Sequence, residues 1–320
     1  MITGARTSLP ALIAARFRAR QLALFSRRRA RAQSAGTRAS TFRGRGLEFE
    51  EVRHYQAGDE LRAIDWRVMA RTGVAHTKIF REERERPVLL LVDLRAGMGF
   101  GSVQRFKSVA AAEVASLLAW ATLQNGDRIG GFIFGSQGHE EIRPARNAGS
   151  VLRLIQIMHN ECNSLAQSAQ GKPASRARQE ASTLPTMLAE LRRVARPGAG
   201  IFVISDFNDF DDACARQLHL LRRHCDIEAI QVFDPLEQQL PAGGLLAFRA
   251  DDERVLLNTD QRALRDTFKA AQQQAQQALF EAMAAHRIAL HSLSTADSAE
   301  AQLANWFHPR AVASSRRGGA

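Results

Sequence analysis

The stretch "VLLLVDLRAGMGFGS", residues 88–102, runs five apolar residues into Asp93 and then turns through glycines before a helical pattern begins. A short apolar run with no polar alternation reads as a strand covered on both faces, the kind found in parallel sheets. A carboxylate at the C-terminal edge of such a strand lies where open α/β sheets place their ligand sites. Two and four residues past that aspartate, serines would set small hydroxyls beside the carboxylate for a hard cation. Those places hold Arg95 and Gly97.

Downstream, buried strands alternate with amphipathic helices. A helix is expected near 105–124, then "RIGGFIFG" and "HEEIRPA" as an antiparallel pair, and a helix over 150–159. Residues 161–181, polar and without apolar periodicity, read as a long surface loop before a helix at 184–195. Strand "AGIFVISD", a helix at 212–224, strand "IEAIQVFD", a helix at 261–285 and strand "RIALHSL" follow. "GLLAFRADDERVLLNTD" reads as a hairpin inserted in this series, with an Asp251-Asp252 turn. The alternation predicts a mostly parallel sheet with helices on both faces. Upstream, residues 41–86 mix short β-prone pieces with a Gly58-Asp59 turn, giving a small strand-rich lead-in to an α/β domain over 87–310. The tail, 311–320, is polar and expected to be disordered.

At 320 residues, 45% apolar and 24% charged, the composition is globular. The three cysteines, Cys162, Cys214 and Cys225, are odd in number and widely spaced, which fits neither a disulfide framework nor a zinc site. No uninterrupted apolar run reaches membrane-spanning length, and no secretory signal pattern opens the chain, so a cytoplasmic location is expected. The net charge of +11 is local: residues 1–45 hold 11 arginines and no acid, and the remaining 33 basic residues balance all 33 acidic ones. Residues 1–40 therefore form a basic N-terminal arm, with Leu9, Ile13, Phe17 and Leu24 at roughly helical spacing. The readings for it are a solvated arm that folds over the domain or stays mobile, a basic amphipathic helix on an anionic membrane surface, and nucleic acid, the least favoured because no aromatic platform accompanies the charge.

"GRGLEFEEVRHYQAGDELRAIDWRVMARTG", followed by "FREERERPVLLLVDLRAGMGFGS", "LQNGDRIGGFIFG" and "ISDF", closely resembles the bacterial domain-of-unknown-function family 58. The resemblance covers about residues 41–310 and implies a von Willebrand factor A-like α/β fold, in agreement with the strand and helix pattern. It also implies a non-enzymatic partner-binding protein that cooperates with a MoxR-type AAA+ ATPase, and with other von Willebrand factor A-like proteins, in maturation or assembly of other proteins. Some relatives carry transmembrane helices ahead of this region; this chain does not, which favours a cytoplasmic adaptor and leaves the basic arm as the one candidate for membrane contact.

In A-like domains of the adhesion type, an Asp-x-Ser-x-Ser strand end, a threonine and a second aspartate hold magnesium, whose open position takes a partner carboxylate. By this resemblance Asp93 matches the first aspartate and Asp206 the last, and the threonine place falls on Ser182, with Thr183 as the alternative. Glycine supplies no ligand and arginine is a permanent cation without an acceptor, so the set Asp93, Arg95, Gly97, Ser182 and Asp206 is a degenerate adhesion site that disfavours magnesium and implies no cofactor. The Arg95 guanidinium is expected to pair with Asp93 or Asp206, either as a structural ion pair or with N–H donors left for an acidic partner residue.

A second constellation, Arg53, Asp59, Arg62, Asp65, Trp66 and Arg71, reads either as a clamp fixing the lead-in or as a docking surface. The sequence has no G-x-S-x-G elbow, H-E-x-x-H pair or Walker loop, and its nine histidines form no metal box.

Overall fold

The computed structural model describes residues 4–22, 24, 47–56, 64–82, 86–135, 138–169, 182–250 and 253–307. In chain order the elements are α1 (Leu9–Arg18), β1 (Leu47–His54), α2 (Trp66–Thr72), β2 (His76–Glu82), β3 (Pro87–Leu94), α3 (Lys107–Gln124), β4 (Arg128–Gly135) and β5 (Gly138–Ala145). They continue as α4 (Ala148–Ala169), α5 (Leu184–Val194), β6 (Gly200–Ser205), α6 (Asp212–Arg222), β7 (Asp226–Phe233), β8 (Leu245–Ala250), β9 (Glu253–Asn258), α7 (Arg262–Ala285), β10 (Ala289–Ser294) and α8 (Ala299–Phe307). The described residues divide into two compact units, one within 29–85 and the other comprising those up to residue 28 and those from Arg86 onward.

The smaller unit pairs β1 with β2 antiparallel and carries α2 between them in sequence. Asp65 caps α2, accepting from the N–H groups of Arg67 at 3.0 Å and Val68 at 3.3 Å, so two donors that a helix start leaves unpaired are satisfied. Gly73 closes the helix in the left-handed conformation that favours glycine.

The larger unit is built on a six-stranded sheet in the order β10-β7-β6-β3-β4-β5, parallel except for β5, which runs antiparallel to β4 at one edge. This is the α/β architecture expected from the sequence, a mostly parallel sheet with helices on both faces. Residues Val88–Leu94 are all buried because helices cover both faces of β3. At Gly131 a Cβ would run into the Leu90 backbone oxygen, so only glycine lets β4 approach β3 as it does.

One apolar cluster holds α3 at its centre, under α1, α4 and α8; the opposite cluster joins the sheet to α5, α6 and the C-terminal end of α7. Nearly every side chain of α3 from Lys107 to Thr122 is buried, which is why its sequence is alanine-rich and apolar all round rather than striped. The β8–β9 hairpin stands as a separate two-stranded sheet.

Three features differ from the sequence reading. Helix α4 runs on to Ala169, through the first part of the expected 161–181 loop, because Cys162, Leu165 and Ala166 continue the buried stripe of Val151, Leu154, Ile155 and Met158. Helix α8 was not expected; Leu303 and Phe307 pack it into the core. Within the basic arm, α1 buries Leu12 and Ala15 in the α3 cluster, where Leu9 and Ile13 also pack, while Phe17 stays 58% exposed. Gly4 pairs with the loop before α3, its N–H donating to Gln104 O at 2.8 Å. No described helix is long and apolar enough to cross a membrane.

Candidate ligand site at the strand ends

Strands β3 and β6 are parallel neighbours in register from Val88↔Gly200 to Val92↔Ile204, so Ser205 comes level with Asp93 and Asp206 follows one residue later at the same C-terminal end of the sheet. The chain leaves β3 and β6 at the point where the strand order reverses, a topological switch point. Both sequence-predicted carboxylates lie at neighbouring strand ends and are buried, at 1% and 8% exposure.

Arg95 folds back over the strand end. Its Nε donates to Asp93 Oδ1 at 2.9 Å and its Nη2 to Asp93 Oδ2 at 2.6 Å, while its backbone N–H reaches Oδ1 at 3.0 Å. The same guanidinium donates to Asp209, from Nη1 at 2.5 Å and Nη2 at 2.8 Å. Of the two partners expected, Asp93 is engaged; the other is Asp209 rather than Asp206. The reason lies in the turn after β6. Phe207 takes a left-handed φ of 56°, its N–H donates to Ser205 Oγ at 3.0 Å, and Ser205 Oγ itself donates to Asp93 Oδ2 at 2.7 Å. The reversed chain carries Asp209 back over the sheet edge, where the Leu184 N–H at the start of α5 also donates to it at 3.3 Å.

Asp206 is held by a second internal cation. Lys107, the first residue of α3 and 1% exposed, donates from Nζ to Asp206 Oδ2 at 2.9 Å and to Glu237 Oε1 at 2.6 Å. Asn208 supplies two further donors to Asp206, from N at 3.2 Å and Nδ2 at 2.8 Å. Burial opposes the charge on both cations, but the Asp209 and Asp93 hydrogen bonds outweigh it at Arg95, and Asp206 and Glu237 outweigh it at Lys107, so both are held above their ordinary pKa. Asp209 is depressed because Arg95 overcomes the cost of its partial burial.

Gly97 lies against this cluster: a Cβ there would sit 3.2 Å from Asp206 Oδ2. Ser182, half-buried, forms no hydrogen bond to either aspartate among the described residues, and Thr183 spends its hydroxyl on the capping box of α5 with Thr186. Four carboxylates therefore meet two cations of the chain itself. The deep pair, Asp93 and Asp206, is matched one to one, and the outer pair, Asp209 and Glu237, at 36% and 30% side-chain exposure, gives the rim an excess of negative charge. Among the described residues there is no cluster of metal-ligating side chains of the usual kind.

Beside the cluster, Asp234 is fully buried and ties the ends of β7 and β10 to the loop before α3. It accepts from Ser102 N at 2.8 Å, from Ser102 Oγ, from Thr295 Oγ1 at 2.6 Å and from Leu236 N at 3.0 Å. In the lead-in constellation, Trp66 is 61% exposed, Asp65 caps α2, Arg71 is exposed, and Arg53 donates to His54 O at 3.1 Å; Asp59 and Arg62 lie outside the described residues.

Lys107, Asp209 and Glu237 are the site residues that sequence reasoning missed. One signal was available for Lys107: a cation at the first turn of an apolar helix opposes the helix dipole and needs a carboxylate from elsewhere.

Among curated proteins, the chain is 29% identical over 229 residues to the uncharacterized protein Mb1516 of Mycobacterium bovis, covering 71% of this chain and 68% of that protein. It is 28% identical over 160 residues to the uncharacterized protein YeaD of Bacillus subtilis, covering 47% and 37%. Among solved structures, the conserved hypothetical protein BatB from Bacteroides thetaiotaomicron aligns with a TM-score of 0.41 at 14% identity, over 69% of this chain and 95% of that one. The manganese-loaded TRAP protein of Plasmodium vivax aligns with a TM-score of 0.28 at 14% identity, over 46% and 57%. Residues 51–278 match the family described as "Protein of unknown function DUF58", and the chain belongs to that family.

Proposed function

We propose that the protein is a non-enzymatic, cytoplasmic interaction adaptor that cooperates with a MoxR-type AAA+ ATPase in maturing or assembling other proteins. The observation that carries the binding reading is the engagement of the whole strand-end cluster: Asp93, Asp206, Asp209 and Glu237 are all ion-paired to Arg95 or Lys107. Carboxylates held in this way are poor general bases, since protonation would break a buried pair. They make instead a rigid, charged rim at a favoured ligand position of the fold. The ATPase comes from the family resemblance.

Affinity capture from a lysate of the native organism, with nucleotide retained, tests this. The adaptor reading expects an AAA+ ATPase to be captured by the full chain and lost when the rim is reversed by Asp209→Lys with Glu237→Lys. Capture of no ATPase by the unaltered chain sinks it.

A further inference from the structure

A groove of about 1360 Å³ opens beside the strand-end cluster, between the β8–β9 hairpin, α7 and the turn after β6. That is larger than the usual small-molecule pocket of about 300–1,000 Å³, and of a size for a polypeptide segment. Helix α7 forms one wall. Among its 24 residues only Leu279 and Met283, near its C-terminal end, are buried, and its groove face presents Phe268, Ala275 and Leu279 at helical spacing. The opposite wall is the cross-strand pair Phe248↔Val255 of the hairpin, with Val255 47% exposed.

The charge of the groove is one-sided. Asp206, Glu237, Asp211 and Asp212 line it, and against them stand Lys107, already shared between Asp206 and Glu237, and Lys269 on α7. Four carboxylates facing two ammonium groups leave an excess of two negative charges. The net charge of +11 lies wholly within residues 1–45 and the rest of the chain is balanced, so the groove's excess of negative charge is a local feature that draws a cationic ligand.

We propose that this groove docks a polypeptide segment of a partner protein that carries basic residues together with apolar anchors, the apolar side chains lying against Phe248, Val255, Phe268 and Leu279 and the basic ones meeting Asp212 and the Glu237 rim. The proposal rests on the interaction reading above and names the chemistry of the partner. Electrostatic complementarity sets which segments enter, and the apolar walls hold them.

The test is fluorescence anisotropy with two labelled amphipathic peptides of equal length, one of leucine and arginine and one of leucine and glutamate. The arginine peptide is expected to bind at least about tenfold more tightly, with an affinity that falls as salt rises. Ala275→Trp, which fills the groove from an exposed helix position, is expected to weaken binding by about fivefold or more with unchanged thermal unfolding, and Asp212→Lys, which reverses the groove's charge, to weaken it as much with a slightly lowered unfolding temperature, because residue 212 lies in the first turn of α6. Failure of both peptides to bind, equal binding of the two, or full binding by Ala275→Trp overturns the proposal. So does concentration-dependent self-association abolished by Ala275→Trp, which would make the occupant a second copy. Each of these results leaves the ATPase capture test unaffected, because that test reads a whole partner protein through different variants.

Discussion

Arg95 and Asp209 meet fork to fork, Nη1 to Oδ2 at 2.5 Å and Nη2 to Oδ1 at 2.8 Å, joining the end of β3 to the turn after β6. Because the guanidinium also clasps Asp93, one cation fixes the relative position of both sides of the switch point. Planar, bidentate geometry of this kind suits arginine and not lysine.

Arg95→Met and Asp209→Asn should therefore differ in cost. Without Arg95, Asp93 keeps, among the described residues, only the residue 95 N–H and Ser205 Oγ as partners in a site 1% exposed. Stranding a buried charge in this way costs about 3–5 kcal/mol. Asp209→Asn leaves the Arg95–Asp93 pair intact and removes a charge that is 36% exposed, so about 1 kcal/mol or less is expected. Urea unfolding midpoints decide; equal losses would show that the deep pair is not the stronger one.

Stability should fall off at both ends of the pH scale for identifiable reasons. Burial works against the charges of Asp209 and Asp234, but Arg95 and the Ser102 and Thr295 hydroxyls prevail, so both fold with a pKa below the ordinary 3.8. Their contribution is complete above 3.8 and is lost as pH falls from there through the folded values. Lys107, raised above its ordinary 10.5, contributes fully below that value and loses its contribution as pH rises through the folded one. Denaturation midpoints at about pH 7, 4 and 3 should drop steeply at the acid end, and Asp209→Asn should flatten part of that drop. A midpoint unchanged down to about pH 3 would contradict the assignment.

How far the sequence alone carries the fold and the site depends on the range of the interaction involved. The buried run 88–92 ending in Asp93, the "FVISD" strand ending at Asp206 and the two-faced sheet are local patterns, and all were legible. Helix α4 was cut short because "ECNSLAQSAQ" is polar on average, and only the spacing of Cys162, Leu165 and Ala166 continues the buried face. The pairing of Arg95 with Asp209 was not legible. It spans 114 residues and depends on a left-handed Phe207, a conformation that sequence rules do not assign to phenylalanine.

The arm gives a prediction of its own. Leu12 is 1% exposed in the α3 cluster, so Leu12→Ala should cost about 2–5 kcal/mol, as other buried leucine truncations do. Arg16→Ser, on the exposed side of α1, should stay within about 0.5 kcal/mol. Thermal unfolding of the two variants compares a packed helix with a solvated one; if Leu12→Ala is neutral, α1 does not belong to the core. It follows that any role for the arm's charge on anionic vesicles is better tested by arginine-to-serine replacement than by removing the first 40 residues, which would uncover α3.

Metal binding at the strand end should require removal of both internal cations. In the unaltered chain, calorimetry with magnesium or manganese at about millimolar concentration is expected to show no binding, because Arg95 and Lys107 already occupy the carboxylate oxygens that a hard cation would need. Arg95→Ser with Gly97→Ser places one hydroxyl beside Asp93 and another next to Asp206, whose Oδ2 lies 3.2 Å from the Cβ position at residue 97. Lys107 still holds Asp206 in that double variant, so it should bind weakly at most. Adding Lys107→Met leaves an uncompensated cluster that is destabilised on its own and that magnesium should rescue, raising the unfolding temperature in proportion to the logarithm of free metal. If the double variant binds as tightly as the triple one, Lys107 is not the second obstacle. Tight binding by the unaltered chain, abolished by Asp93→Ala, would show that the two cations yield to a metal after all.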